Sequence, residues 1–144
     1  MGEYVIDASV AIKWVVKNEP FRHKARQLLN EATISGTALI GPPLLEYEVE
    51  SNLQRRLRQG RASLAATDAS VNAFYAVSVQ IIAHPDMVLR AREIARQFGQ
   101  ERIYDSIYAA LAEIRGCKFW MADKQFYDAV KSDLTFVKYL PDYP

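Results

Sequence analysis

The sequence predicts one three-layer α/β domain built on a parallel sheet and spanning residues 1–144. Three observations carry this expectation. Short runs of strand character alternate with helical spacing along the whole chain. That order requires right-handed crossovers, which cover both faces of a parallel sheet with helices. The 144 residues are 50% hydrophobic, enough for a single real core. No repeat, low-complexity segment or linker divides the chain further.

Tyr4-Val5-Ile6 has strand character and runs straight into Asp7-Ala8-Ser9. A helix follows, with Val10, Ile12, Trp14, Val15 and Val16 crowded together before Asn18-Glu19-Pro20 stops it. Phe21, Ala25, Leu28, Leu29 and Ala32 recur at helical spacing until Ser35-Gly36. Residues 37–40 read as a second strand, and Gly41-Pro42-Pro43 as a turn with a proline suited to a helix's first position. The next helix has an apolar stripe of Leu45, Val49, Leu53 and Leu57, opposite a polar one of Glu48, Asn52, Arg55 and Gln59. Leu64, Val71, Phe74 and Tyr75 mark a further helix, and residues 77–82 show a strand's period of two. His84-Pro85-Asp86 reads as a turn before a helix with Ala91, Ile94 and Ala95. Residues 101–115 predict the longest helix, ended by Gly116. A strand over 117–121, a short helix over 124–131 and a last strand over 134–139 complete the pattern.

The formal net charge of +1 gives no overall basic field, so any nucleic-acid binding must be local. The single cysteine, Cys117, excludes an intrachain disulfide and a cysteine-type zinc site. No apolar run approaches the roughly 20 residues of a membrane helix, and the first residues lack a signal-peptide pattern. A cytoplasmic protein with no membrane partner is expected.

Four acids stand out by position. Asp7 and Asp123 each follow a strand and precede a helix, where each would also serve as a helix cap. Glu48 lies early on the polar side of its helix, where a solvated acid is the plain alternative. Asp105 sits early in a helix whose matching positions Tyr108, Ala109 and Ala112 are apolar or small, so it is either paired, with Arg102 the candidate, or functional. Ligands of open α/β sheets gather outside the carboxyl ends of the strands, so one edge can collect all four. Two carboxylates about 4 Å apart repel by ~4 kcal/mol at an effective dielectric near 20. Such a cluster must protonate, recruit basic side chains or bind metal. An all-oxygen donor set suits magnesium or manganese, and the absence of paired His or Cys argues against zinc.

These residues, in order, resemble the PIN-domain family, and most closely its VapC-type ribonuclease toxins. Val5-Ile6-Asp7-Ala8-Ser9 is similar to the family's opening element, and Pro43 to Val49 followed by Leu53 resembles the second, with Glu48 rather than Glu46 at the acid position. Tyr104-Asp105-Ser106-Ile107-Tyr108-Ala109-Ala110-Leu111-Ala112 resembles the third, and Met121-Ala122-Asp123 the fourth. The fourth departs from the pattern, with Met121 where a hydroxyl residue is usual and Gln125 where relatives often carry another acid. The resemblance implies a five-stranded parallel sheet between helices, with Asp7, Glu48, Asp105 and Asp123 as catalytic metal ligands and Ser9 orienting one of them. It further implies Mg2+- or Mn2+-dependent hydrolysis of RNA, a toxin–antitoxin role, a cognate antitoxin and a homodimer.

The dense basic run Gln54 to Arg61 is either a solvated helix face or a phosphate contact. The eight tyrosines mostly fit core spacing, and His23 and His84 have no partner in sequence. An aspartyl-nucleophile phosphohydrolase would want an acid where Ser9 stands, and no glycine-rich elbow supports a serine hydrolase. The serious alternative to a nuclease is a catalytically inactive PIN-like module that binds RNA or protein. Persistence of all four acids favours the enzyme.

Overall fold

The computed structural model describes residues 2–144. Its elements run β1 (Glu3–Ile6), α1 (Ala8–Val15), α2 (Arg22–Ser35), β2 (Ala38–Gly41), α3 (Leu44–Arg58), α4 (Leu64–Val77), β3 (Gln80–Ile81), α5 (Met87–Gln97), α6 (Tyr104–Arg115), β4 (Lys118–Met121), α7 (Lys124–Val130) and β5 (Val137–Tyr139). The five strands form one sheet in the order β3-β2-β1-β4-β5, and every pairing is parallel. The sheet stands between helices, as the sequence predicts.

β1 is the central strand, and its Val5 and Ile6 have no exposed surface, the pattern of a parallel strand covered on both faces. From β1 the chain winds outward through β2 to β3, then returns to the other side of β1 as β4. The reversal between β1 and β4 is a topological switch point, where the two crossovers diverge and leave a crevice at the carboxyl edge. Asp7 leaves β1 and Asp123 follows β4 at that edge.

Packing fixes the helices that bring the other two acids. Gly41 lets α3 start close to β1. A Cβ there would stand 2.7 Å from Leu45 Cδ2 and 3.5 Å from the Ile6 carbonyl. α6 presses Tyr108, Ala109, Ala110, Leu111 and Ala112 into the core with none of them exposed. Its alanines let it approach closely, and Gly116 ends it in the left-handed conformation, capping the carbonyls of Ala112 and Glu113.

Three boundaries differ from the sequence pattern. α6 begins at Tyr104, leaving residues 101–103 outside the helix, and its 12 residues are fewer than the 15 of α3. α4 continues through Val77 to a left-handed Ser78, so only Gln80 and Ile81 remain to pair as an exposed edge strand. The last strand shortens to three residues because the chain turns at Leu134 through the Val137 N–H to Leu134 carbonyl bond.

Candidate active site

Asp7 is held by the turn that carries the chain from β1 into α1. Its Oδ1 accepts from Ser9 Oγ at 2.6 Å and from the Val10 N–H at 3.2 Å, so it is indeed the cap of α1. Ser9 Oγ in turn accepts from the Ala122 N–H at 3.0 Å, tying Asp7 to the loop after β4. Asp7 is only 3% exposed, and its Oδ2 accepts no hydrogen bond among the described residues. A cap needs one oxygen; the second is spare.

Glu48 reaches the same edge from the second turn of α3, between the buried Leu45 and Val49. The Tyr108 hydroxyl donates to its Oε1 at 2.5 Å. Tyr108 lies one turn beyond Asp105 on α6, fully buried, with its ring stacked on Phe119 of β4 at 5.8 Å between centroids. One helix face therefore supplies an acid and also the clamp on a second acid. From sequence Tyr108 reads only as a core position. The partner lies 60 residues away, and the one local signal was the three-residue spacing from Asp105.

Asp105 and Asp123 line a cleft of about 660 Å³ together with Glu48, Arg102, Tyr104 and Gln125. Asp123 is exposed and caps α7 by accepting from the Phe126 N–H at 3.2 Å. Gln125 stands in the cleft wall, and Met121 is fully buried in the core. The hydroxyl on the loop after β4 comes instead from Ser9.

The electrostatics show that the acids share one field. Burial pushes the Asp7 carboxyl up to about 8, and the charges of Asp105 and Glu48 add to the rise against the bonds from Ser9 and Val10. Burial and then the charges of Asp123 and Glu48 push Asp105 up to about 7. Burial also raises Glu48, opposed by the Tyr108 hydrogen bond. No ion pair among the described residues uses any of the four acids, and Arg102 does not pair with Asp105. No three Asp, Glu, His or Cys side chains among the described residues are already drawn around a single cation position. The donors themselves fit a hard divalent ion: they are all oxygen, they carry spare lone pairs, and no cation neutralises them.

Other candidates lie elsewhere. Arg56 bonds Glu19 at 3.0 Å and Asn52 at 2.7 Å, a structural tie between α3 and the α1–α2 loop. Arg56 and Arg61 line a separate cavity of about 510 Å³ beside α4. His23 is exposed on α2, and His84 Nδ1 accepts from the Asp86 N–H. Neither lines the cleft.

The chain matches the model of the PIN domain over residues 4–131. No protein with a curated description matches it. Ten solved chains are similar in structure, among them the crystal structure of PAE2754 from Pyrobaculum aerophilum. That protein is 21% identical, the match covers 93% of each chain, and the TM-score is 0.61, a likeness of fold. The match spans all four acids and the strands and helices that carry them, and on it the chain belongs to the PIN domain family, whose members are generally nucleases.

Proposed function

We propose that this protein is a metal-dependent endoribonuclease that hydrolyses RNA phosphodiesters. One observation supports the reading: Glu48, Asp105 and Asp123 line one cleft, the buried Asp7 feels the charges of Asp105 and Glu48, and none of the four is in an ion pair among the described residues. Burying such a cluster costs stability, so a fold that keeps it has a use for a bound cation. Asp7, Glu48, Asp105 and Asp123 would hold Mg2+ or Mn2+. When bound, the ion supplies polarisation of the phosphate and a lowered pKa for the attacking water.

The chain's own part is orientation. Ser9 fixes one oxygen of Asp7, and Oδ2, without a hydrogen bond among the described residues, would be the one to hold an ion. Tyr108 does the same for Glu48 through Oε1. Asp123 is the most exposed of the four acids and lines the cleft with Glu48 and Asp105. No histidine lines the cleft to activate the 2′-hydroxyl of RNA, so water attacks and the products carry 5′-phosphate and 3′-hydroxyl ends.

Purified protein incubated with a structured RNA should cut only with magnesium or manganese. Cleavage that survives chelator, or yields a 2′,3′-cyclic phosphate, overturns the mechanism. A protein that binds RNA with all four acids intact and never cuts is instead the inactive binding module.

The same reading makes the protein the toxin of a toxin–antitoxin pair, active as a homodimer. A cognate antitoxin that places a basic side chain among the acids would relieve the same repulsion as a metal. Sedimentation as a monomer over a wide concentration range, or normal growth of host cells expressing the active protein alone, counts against this role.

A further inference from the structure

The eight tyrosines separate sharply in the structure. Six have partners. Tyr108 bonds Glu48, Tyr75 bonds Glu50, and Tyr143 bonds Glu31. Tyr4 packs edge-on against Trp120, while Tyr127 and Tyr139 stack on each other at 5.1 Å. Tyr47 and Tyr104 have neither a hydrogen bond nor an aromatic neighbour among the described residues, and they are 70% and 47% exposed. Of these two, only Tyr104 lines the acid cleft.

Tyr104 sits at the first position of α6, next to Asp105. Two residues before it stands Arg102, exposed, without an ion pair among the described residues, and the one arginine in the cleft wall. An exposed aromatic ring beside a solvated guanidinium is a poor arrangement for stability, since neither is buried and neither is paired. It matches one chemical class well: a nucleotide offers a flat base for the ring and a phosphate for the arginine.

We infer that residues 100–104 form a lip that grips one unpaired nucleotide beside the phosphate that a cation at the acids would hold. Tyr104 stacks its base and Arg102 takes a flanking phosphate. This rests on the nuclease reading and specifies its substrate: a single-stranded segment, because a base within a duplex cannot reach the ring. The contact carries little base specificity, since every base has a π face.

The test is binding of a short fluorescein-labelled single-stranded RNA, and of its duplex, with calcium in place of magnesium. Tyr104→Ala should weaken single-strand binding about tenfold and leave the duplex within about twofold, with no change in salt dependence. Arg102→Gln should weaken binding and lower the slope against log salt by about 0.7, the value of one single-strand phosphate contact. Tyr104→Trp should retain affinity, and its emission should fall on binding, read against the buried Trp14 and Trp120. Tyr47→Ala should stay within about twofold of the parent.

Unchanged single-strand binding in Tyr104→Ala overturns the lip, as does an equal loss on the duplex or in Tyr47→Ala. A change in oligomeric state of Tyr104→Ala by sedimentation overturns it too, since the ring would then belong to a protein contact. A protein that cuts RNA while Tyr104→Ala binds normally loses the lip and keeps the nuclease. Binding through Tyr104 without cutting in magnesium or manganese does the reverse.

Discussion

The two edges of the sheet treat charge in opposite ways. At the amino edge, where β1 begins and α6 ends, Arg115 grips Glu3 with two hydrogen bonds and Arg90 grips Glu113 with two more. Glu3 is held below the usual carboxylate range by that arginine. At the carboxyl edge, Asp7, Glu48 and Asp105 are pushed upward and no cation answers them. Acids of the first kind have been neutralised by the fold and serve it. Those of the second kind are a cost that the fold carries, the pattern on which the proposed metal site rests.

The largest test of this contrast is loss of cutting. Asp7→Asn and Glu48→Gln should each lower RNA cleavage by more than the roughly 10- to 100-fold typical of an outer positioning partner. Glu46→Gln should leave it near the parent rate. Equal losses for Glu46 and Glu48 would show that the ligand assignment on α3 is wrong.

Next comes the pH dependence of stability without metal. Burial, with the neighbouring acids, pushes Asp7 up to about 8 and Asp105 up to about 7, well above the usual carboxylate range. The folded state therefore holds protons that the unfolded chain has released. Their favourable contribution is full below the unfolded value and is lost as pH rises toward 8. Melts in chelator should show stability falling across that window. Asp105→Asn should flatten the fall and, at its upper end, leave the protein as stable or up to ~1 kcal/mol more so. A clear destabilisation would make Asp105 a structural acid like those of the amino edge.

Tyr108→Phe sits between the two kinds of region, because it removes a fixed hydrogen bond at an unneutralised acid. Stability should drop by about 1–2 kcal/mol, and manganese affinity by about tenfold or more. Isothermal titration and thermal melts separate the two effects; unchanged affinity would reduce Tyr108 to packing. The smallest effect belongs to the amino edge. Arg90→Ala should move the melting temperature by less than about 3 °C, and less again in high salt. Cutting should not change, and a lost nuclease would break the division between edges.

The sequence was most legible where one local rule governs. Asp7 and Asp123 follow strands and open helices, and both are caps in the structure. Capping does not decide against a site, because each cap bond uses one carboxylate oxygen and leaves the other without a partner among the described residues. Arg102 was offered to Asp105 by sequence proximity, yet it stands unpaired in the cleft wall. The basic run after Glu48 read equally as a solvated helix face or a phosphate contact, and within it Arg56 spends its guanidinium on Glu19 and Asn52.

Alternating strand and helix spacing determined the parallel sheet, since each period reflects which side chains must face the core. It also determined which acids follow strands, because that is a matter of order along the chain. Only the tertiary structure decided that β1 and β4 are neighbours, that Tyr108 clamps Glu48 and that Ser9 bridges Asp7 to Ala122. These contacts join residues 60 or more apart along the chain, or strands whose adjacency depends on the direction of winding. Their energies are set by the packing of the whole core, which no local stretch of sequence contains.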